Sequence, residues 1–248
     1  MTAAVLLLVL LGGWEAYVRL GGVDEIVLPA PTAIAASLYD DRALLWSNFT
    51  VTAGEIGLGM LVAIVLGLAC AVAMHFSAPL RRALYPLLVG SQTIPIVLIA
   101  PLLVAWWGFG LTPKLAIVAL VCFFPIVVPT LDALDRVDAD LGKLMRTFGA
   151  SRWQTFRMVE APAAMPGVLT GAKLSVAIAA IAATLAELAA SDAGLGNLML
   201  KAIPQFETAR AFAAVLVLTA FSVALFALFA LVERRLLPWA HQPRGTAP

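Results

Sequence analysis

Six stretches of this chain stay apolar for about as long as a helix needs to cross the hydrocarbon core of a bilayer, roughly 20 residues. They run from Ala3 to Leu20, Ile56 to His75, Leu87 to Trp107, Leu115 to Leu131, Gly167 to Ala189 and Phe212 to Val232. Inside a bilayer every backbone N–H and C=O needs a partner from the chain itself, which leaves helices or a closed barrel. The runs are continuous rather than alternating over about ten residues, so barrel strands are excluded. The expected fold class is an all-α polytopic membrane protein of about six transmembrane helices. Composition agrees, with 62% of the 248 residues hydrophobic and 12% charged, where a soluble chain has about half and about a quarter.

The charged residues orient the bundle. Eleven of the 16 Lys and Arg (Arg81, Arg82, Arg136, Lys143, Arg146, Arg152, Arg157, Lys173, Arg234, Arg235 and Arg244) fall in the connections after spans two and four, at the start of span five and in the tail. Arg19, Arg42, Lys114, Lys201 and Arg210 fall on the other side. The positive-inside rule then predicts both termini and the long central loop in the cytoplasm. Nothing basic precedes the first run and no small-residue cleavage pattern ends it, so it reads as a span rather than a signal peptide. One membrane domain is expected over residues 1–240, with a disordered tail at 241–248.

Much chemistry is excluded. A net charge of +1 offers nothing to nucleic acid. Cys70 and Cys122 both lie inside predicted spans, where a thiol behaves as a small hydrophobe rather than a disulfide or metal ligand. The two histidines, His75 and His241, accompany no nucleophile motif, and the phosphate-loop pattern G-x-x-x-x-G-K-[ST] is absent. No catalytic residue and no metal site is expected, and energy for any transport must come from a partner or a gradient.

The longest charged connection, about 132–166, is strongly patterned. Leu141, Leu144, Met145 and Phe148 recur at i, i+3, i+4 and i+7, one face of a helix. Gly149 supplies the dihedral freedom that ends such a helix, and Ser151 with Gln154 forms a capping box that starts another. The second helix carries Arg152, Trp153, Phe156 and Arg157 and is expected to break at Pro162 and Pro166. Aromatics flanked by arginines are concentrated at protein interfaces. The hairpin reads either as a docking surface for a soluble partner or as a passive hairpin resting on the membrane.

Gly149-Ala150-Ser151, then Val159 and Pro162, followed by Pro166-Gly167 and Gly171, resembles the cytoplasmic signature loop of binding-protein-dependent ABC importer permeases. That family's loop reads Glu-Ala-Ala, three residues, Gly, nine residues, an aliphatic, one residue, an aliphatic and Pro. The spacing from Gly149 onward fits. Lys143, Leu144 and Met145 stand where the Glu-Ala-Ala triplet would be, and Ala161 replaces the second aliphatic. The likeness extends through Leu28-Pro-Ala-Pro31-Thr32, Pro95 to Gly110, Phe123-Phe124-Pro125, Glu187, Gly194-Leu195-Gly196 and Glu233 to Trp239. It is nearest the subgroup importing nitrate, sulfonates, taurine or pyrimidine-type thiamin precursors.

The resemblance implies a type I importer permease fold in a bacterial inner membrane, with two permease copies, two cytoplasmic ABC ATPase subunits and an extracytoplasmic solute-binding protein. ATP and Mg would belong to the ATPase, and this chain would hold no cofactor. The loop would be the coupling helix that inserts into the ATPase, giving Lys143, Arg146, Gly149, Ala150, Ser151, Arg152, Trp153, Phe156, Arg157, Val159 and Pro162 as coupling residues.

Candidates for the solute pathway are polar or distorted places within spans, because ionisable groups there are costly and turn to an interior. Ser91, Gln92 and Thr93 stand beside the helix-breaking Pro95 in span three. Glu55 at the outer edge of span two reads as a solvated carboxylate or a solute contact. Glu187, deeper in span five, reads as a gate hydrogen bond, a solute contact or a helix-end ion pair. A gradient-driven secondary transporter is the alternative, although it would have repeated halves and no use for the hairpin.

Overall fold

The computed structural model describes residues 2–238, so the expected disordered tail at 241–248 lies outside the described residues. Among the described residues eleven α-helices follow one another: α1 (Thr2–Leu20), α2 (Pro31–Asp40), α3 (Arg42–Phe76), α4 (Ala78–Ser91), α5 (Ile96–Trp107), α6 (Leu111–Asp135), α7 (Ala139–Thr147), α8 (Arg152–Thr155), α9 (Ala161–Ala190), α10 (Leu195–Ala202) and α11 (Thr208–Leu236). Among the described residues four helical runs are long and apolar enough to span a bilayer: α3, α6, Arg152–Ala189 and α11. The bent pair α4 and α5 makes a fifth, and α1 occupies the first apolar run with its leucines exposed.

α6 is the axis of the bundle, with α3 along one side and α9 along the other. Lipid tails are as apolar as leucine, so spans associate through close packing rather than a hydrophobic drive. Small residues permit it. A Cβ added to Gly59 of α3 would lie 2.6 Å from Val118 Cβ, and one added to Gly171 of α9 would lie 2.5 Å from Pro125 O. Ile56, Met60, Val118, Cys122, Ile126, Val176 and Ala183 fill the space between these contacts. The Ser175 hydroxyl crosses the same interface, 3.1 Å from Cys122 O.

One of two expectations about proline needs correcting. Span three breaks where expected: the chain bends by 102° between α4 and α5, at Gln92 to Pro95, where proline has no N–H to continue the ladder. Pro162 and Pro166, by contrast, do not separate the hairpin from span five. Pro162 cannot donate to the carbonyl of Met158, and one turn of wider π-helix at Phe156–Glu160 accommodates this, with Ala161 N–H reaching back to Phe156 O. The chain therefore continues as a single helical run from Arg152 to Ala189.

Candidate functional site

The central connection folds as the predicted hairpin. Asp138 caps α7 by accepting the Asp140 N–H at 2.9 Å. At the other end Gly149 sits at φ +76°. Its N–H donates to Arg146 O at 2.9 Å, and the Ala150 N–H donates to Met145 O at 3.0 Å, the paired bonds of a Schellman stop. Ser151 then opens α8 with both halves of a capping box: Gln154 N–H to Ser151 Oγ at 3.2 Å and Ser151 N–H to Gln154 Oε1 at 2.7 Å.

The two arms of the hairpin face differently. On α7, Leu141 and Leu144 are exposed, and Phe148 at the tip is 80% exposed. Lys143 and Arg146 are exposed beside them, and Lys143 is paired with Asp140 at 2.6 Å. On the second arm Phe156 is only 8% exposed. It sits against Phe76 of α3 with ring centroids 5.1 Å apart, and Trp153 stacks on it at 5.3 Å. Arg152 lies over the Phe76 ring and donates to His75 O. Arg157 is exposed, Ala150 and Val159 are half-buried, and Pro162 lies in the first turn of α9. Apolar surface is thus left for a partner on both arms, at Leu144 and Phe148 on α7 and at Trp153, 58% exposed, on the second, while Phe156 is turned inward.

At the far end of the bundle lies a buried polar network. Glu55 is 1% exposed, so the solvated-carboxylate reading does not hold: α3 begins at Arg42, well before the apolar run, and carries Glu55 inside a continuous helix. Lys114 Nζ donates to Glu55 Oε1 at 2.6 Å and to Ser191 Oγ at 2.7 Å. Glu55 Oε2 is buried without a hydrogen-bond partner among the described residues. Glu187, fully buried, accepts from Thr52 Oγ1 at 2.5 Å, from Gly196 N–H at 2.6 Å and from Asn197 N–H at 3.3 Å. A carboxylate held on the first N–H groups of α10 is favourably placed, since those groups have no partner within the helix.

This arrangement explains Gly194-Leu-Gly196. A Cβ on Gly196 would lie 2.9 Å from both Glu187 Oε2 and Thr184 Cγ2, and Gly194, at φ +116°, would put one into the Glu187 carboxylate. Gly194 N–H instead donates to Asn48 Oδ1 at 2.8 Å, and Leu195 N–H to Thr52 Oγ1 at 2.8 Å. Asn48, Thr52 and Lys114 were not singled out from sequence. The signal existed, for Asn48, Thr52 and Glu55 stand at i, i+4 and i+7 on one face of α3.

Glu187→Gln keeps an acceptor for α10 but brings an NH2 group to Thr52 Oγ1, which would have to give up its donated bond. We expect the variant to lose about 1–3 kcal/mol, seen as a lower melting temperature in detergent. Gly196→Ala should shift the melt in the same direction. Melts unchanged in both would show that the carboxylate does not hold this corner.

The third place is the break in span three. Ser91, Gln92 and Thr93 are all exposed. Ser91 Oγ donates to Leu88 O at 2.7 Å and Thr93 Oγ1 to Gly90 O at 2.8 Å, occupying carbonyls at the helix end. With Pro95, Ile96, Ile99, Leu120 and Val121, Ser91 and Gln92 line a groove of about 440 Å³ that carries no charged group. The candidate pathway residues therefore divide, with Ser91 to Pro95 at this open break and Glu55 and Glu187 sealed in the network.

Residues 63–238 match the family described as "Binding-protein-dependent transport system inner membrane component". The formylaminopyrimidine transport permease protein ThiX of Halalkalibacterium halodurans is 34% identical over 227 residues, 91% of this chain and 90% of that one. The riboflavin transport system permease protein RibX of Chloroflexus aurantiacus is 35% identical over 237 residues, covering 95% and 88%. Among solved structures, a crystal structure of an amino acid ABC transporter with histidines superposes with a TM-score of 0.63 at 18% identity, covering 81% of this chain and 97% of that chain. That likeness shows the fold.

Proposed function

The chain belongs to the binding-protein-dependent transport system inner membrane components, multi-pass permeases of ABC importers without an ATPase domain of their own, and from that premise we propose how its parts divide the work of import. The α6–α7–α8 hairpin is the cytoplasmic coupling element, which sets both termini in the cytoplasm. Two copies of the permease form the pathway. Two ATPase subunits, which bind ATP and Mg, receive the hairpins, and an extracytoplasmic binding protein delivers solute to the opposite end.

The observation that carries this reading is the uncovered apolar face of α7. Leu144 and Phe148 stand exposed on a helix whose two ends are fixed by Asp138 and Gly149, and a rigid, capped apolar ridge among cations is suited to a groove on a soluble partner. ATP binding closes the ATPase pair, the hairpins carry that motion into the spans, and the bundle turns from inward-facing to outward-facing. Solute then enters from the docked binding protein, and hydrolysis resets the cycle.

The proposed solute is a small organic molecule of the pyrimidine type. The break at Ser91 to Pro95 supports it by offering hydroxyl and amide groups without a charge, and two relatives named above are permeases for ring compounds. Sulfonates, taurine and nitrate are the competing solutes. The test is co-purification in mild detergent with the neighbouring gene products, followed by uptake into proteoliposomes. A bound ATPase that is captured about tenfold less by Phe148→Ser, from the loss of one buried aromatic side chain, supports the coupling reading. No captured ATPase defeats it and favours a gradient-driven transporter. Uptake of a labelled hydroxymethylpyrimidine rather than taurine supports the solute class, and the reverse preference overturns it.

A further inference from the structure

α3 is the helix that reaches from the hairpin to the buried network. Its last turn holds His75 and Phe76, and one face farther back carries Thr52 and Glu55, about 32 Å away along the helix between Glu55 and Phe76. The hairpin is also continuous with α9, but through the π turn at Phe156–Glu160, the weakest place in that rod, since π geometry replaces the regular ladder there. A displacement applied to α7 could be absorbed by that turn. What prevents this is a set of contacts from α8 and the π turn across to the end of α3.

Those contacts run from just before the turn to its last residue. Before it, the Arg152 guanidinium covers the Phe76 ring at 5.2 Å and donates to His75 O at 3.3 Å, while Trp153 lies 6.1 Å from Phe76. Within it, Phe156 meets Phe76 edge-on at 5.1 Å and the His75 ring at 5.9 Å, and Glu160 Oε2 lies 2.8 Å from His75 Nε2. Aromatic pairs hold a preferred angle as well as a distance, so such a cluster resists rotation where aliphatic contacts would slide. Phe76 holds α8 and the first residue of the turn, its neighbour His75 holds the last, and Phe76 is the centre of the cluster.

We propose that the Phe76 clamp locks the second arm of the hairpin to α3, so that the hairpin, α3 and the start of α9 move as one body. This rests on the coupling role proposed above for α7. Phe76, His75 and Phe156 are then positioning residues that neither touch the ATPase nor the solute. Without them the ATPase partner still docks and still turns over, while its motion is spent in the π turn.

The experiment compares unmodified permease with Phe76→Ala, Phe76→Leu and Phe76→Tyr, each assembled with its ATPase and binding protein in proteoliposomes. The readouts are ATPase capture, ATP hydrolysed, solute taken up and thermal melting. We expect the Ala and Leu variants to capture ATPase normally and hydrolyse ATP within about twofold of the unmodified complex. Solute moved per ATP should fall about tenfold, and Phe76→Tyr, which keeps the ring, should restore it. A merely structural role would lower the melt without changing that ratio. Leu retains apolar volume and keeps the test open should Ala fail to fold. An unchanged ratio in a folded Leu or Ala variant overturns the clamp, as does loss of ATPase capture, which would make Phe76 part of the docking surface. Absence of ATPase on the unmodified chain instead overturns the coupling reading itself.

Discussion

Gly149→Asp is expected to reduce solute uptake to background, while the protein still reaches the membrane in normal amount. Two separate effects combine at this position. Gly149 sits at φ +76°, between Schellman bonds from its own N–H and that of Ala150. An ordinary L-residue held there costs about 1–2 kcal/mol, with Asn and Asp toward the low end, so for Asp the strain is the smaller effect. The added carboxylate would also be pressed into the proposed ATPase contact among apolar groups, where an unpaired charge costs several kcal/mol. Sterics within the chain contribute nothing, since a Cβ at Gly149 meets no atom of the described residues within 4 Å. A series separates the causes. Gly149→Asn tolerates the left-handed dihedral without charge and should retain most uptake. Gly149→Ala carries only the strain and should fall between. The measurement is uptake alongside ATPase capture, and normal uptake by Gly149→Asp would remove the hairpin from the coupling role.

The hairpin was legible because its signals are local. Helical spacing in Leu141 to Phe148, a glycine stop and a capping box each act within a few residues, and each reappears in the structure. The burial of Phe156 was not legible. Trp153 and Phe156 read alike in sequence until Phe76 arrives from α3 and covers Phe156, leaving Trp153 exposed at its edge, and no local period announces so distant a residue. The prolines mislead for a related reason. Pro162 forbids one hydrogen bond, but whether a helix breaks or widens depends on what holds its two halves, and here the contacts to α3 and α6 hold both.

The length of α3 was hidden by the same polar residues that define the network. Asn48, Thr52 and Glu55 lower the hydropathy of its first half, so the apolar run at Ile56 does not announce a helix that begins at Arg42. Their partners, Gly194, Leu195, Glu187 and Lys114, lie on α6, α9, the α9–α10 turn and the start of α10. A polar residue satisfied by another helix is indistinguishable, in sequence, from one satisfied by water. The alternation that matters is in three dimensions: a polar face on α3 opposite a glycine-bounded turn whose N–H groups are free to point at it.

Removing Lys114 should have the second large effect, and it decides what the network is for. Lys114→Met leaves Glu55 buried with one oxygen already unpartnered and its ion pair gone, and strips Ser191 of the same donor. Breaking a buried pair from one side costs about 3–5 kcal/mol, a large part of the stability of an ordinary domain. The variant is expected to melt far below the unmodified protein in detergent and to accumulate poorly. Glu55→Gln combined with Lys114→Met removes the stranded charge as well as its partner and should recover most of the loss. That recovery is the informative part. If Glu55 and Lys114 serve to join α3, α6 and the α9–α10 turn, the double variant regains stability and still imports the same solute. If they line the solute pathway, Lys114→Met changes uptake with little effect on the melt, because a carboxylate reached by water is never stranded. The burial of Glu55 and Glu187, together with Glu187 already occupied by Thr52, Gly196 and Asn197, favours the first outcome and agrees with the proposal that solute meets the open break at Ser91 to Pro95 instead.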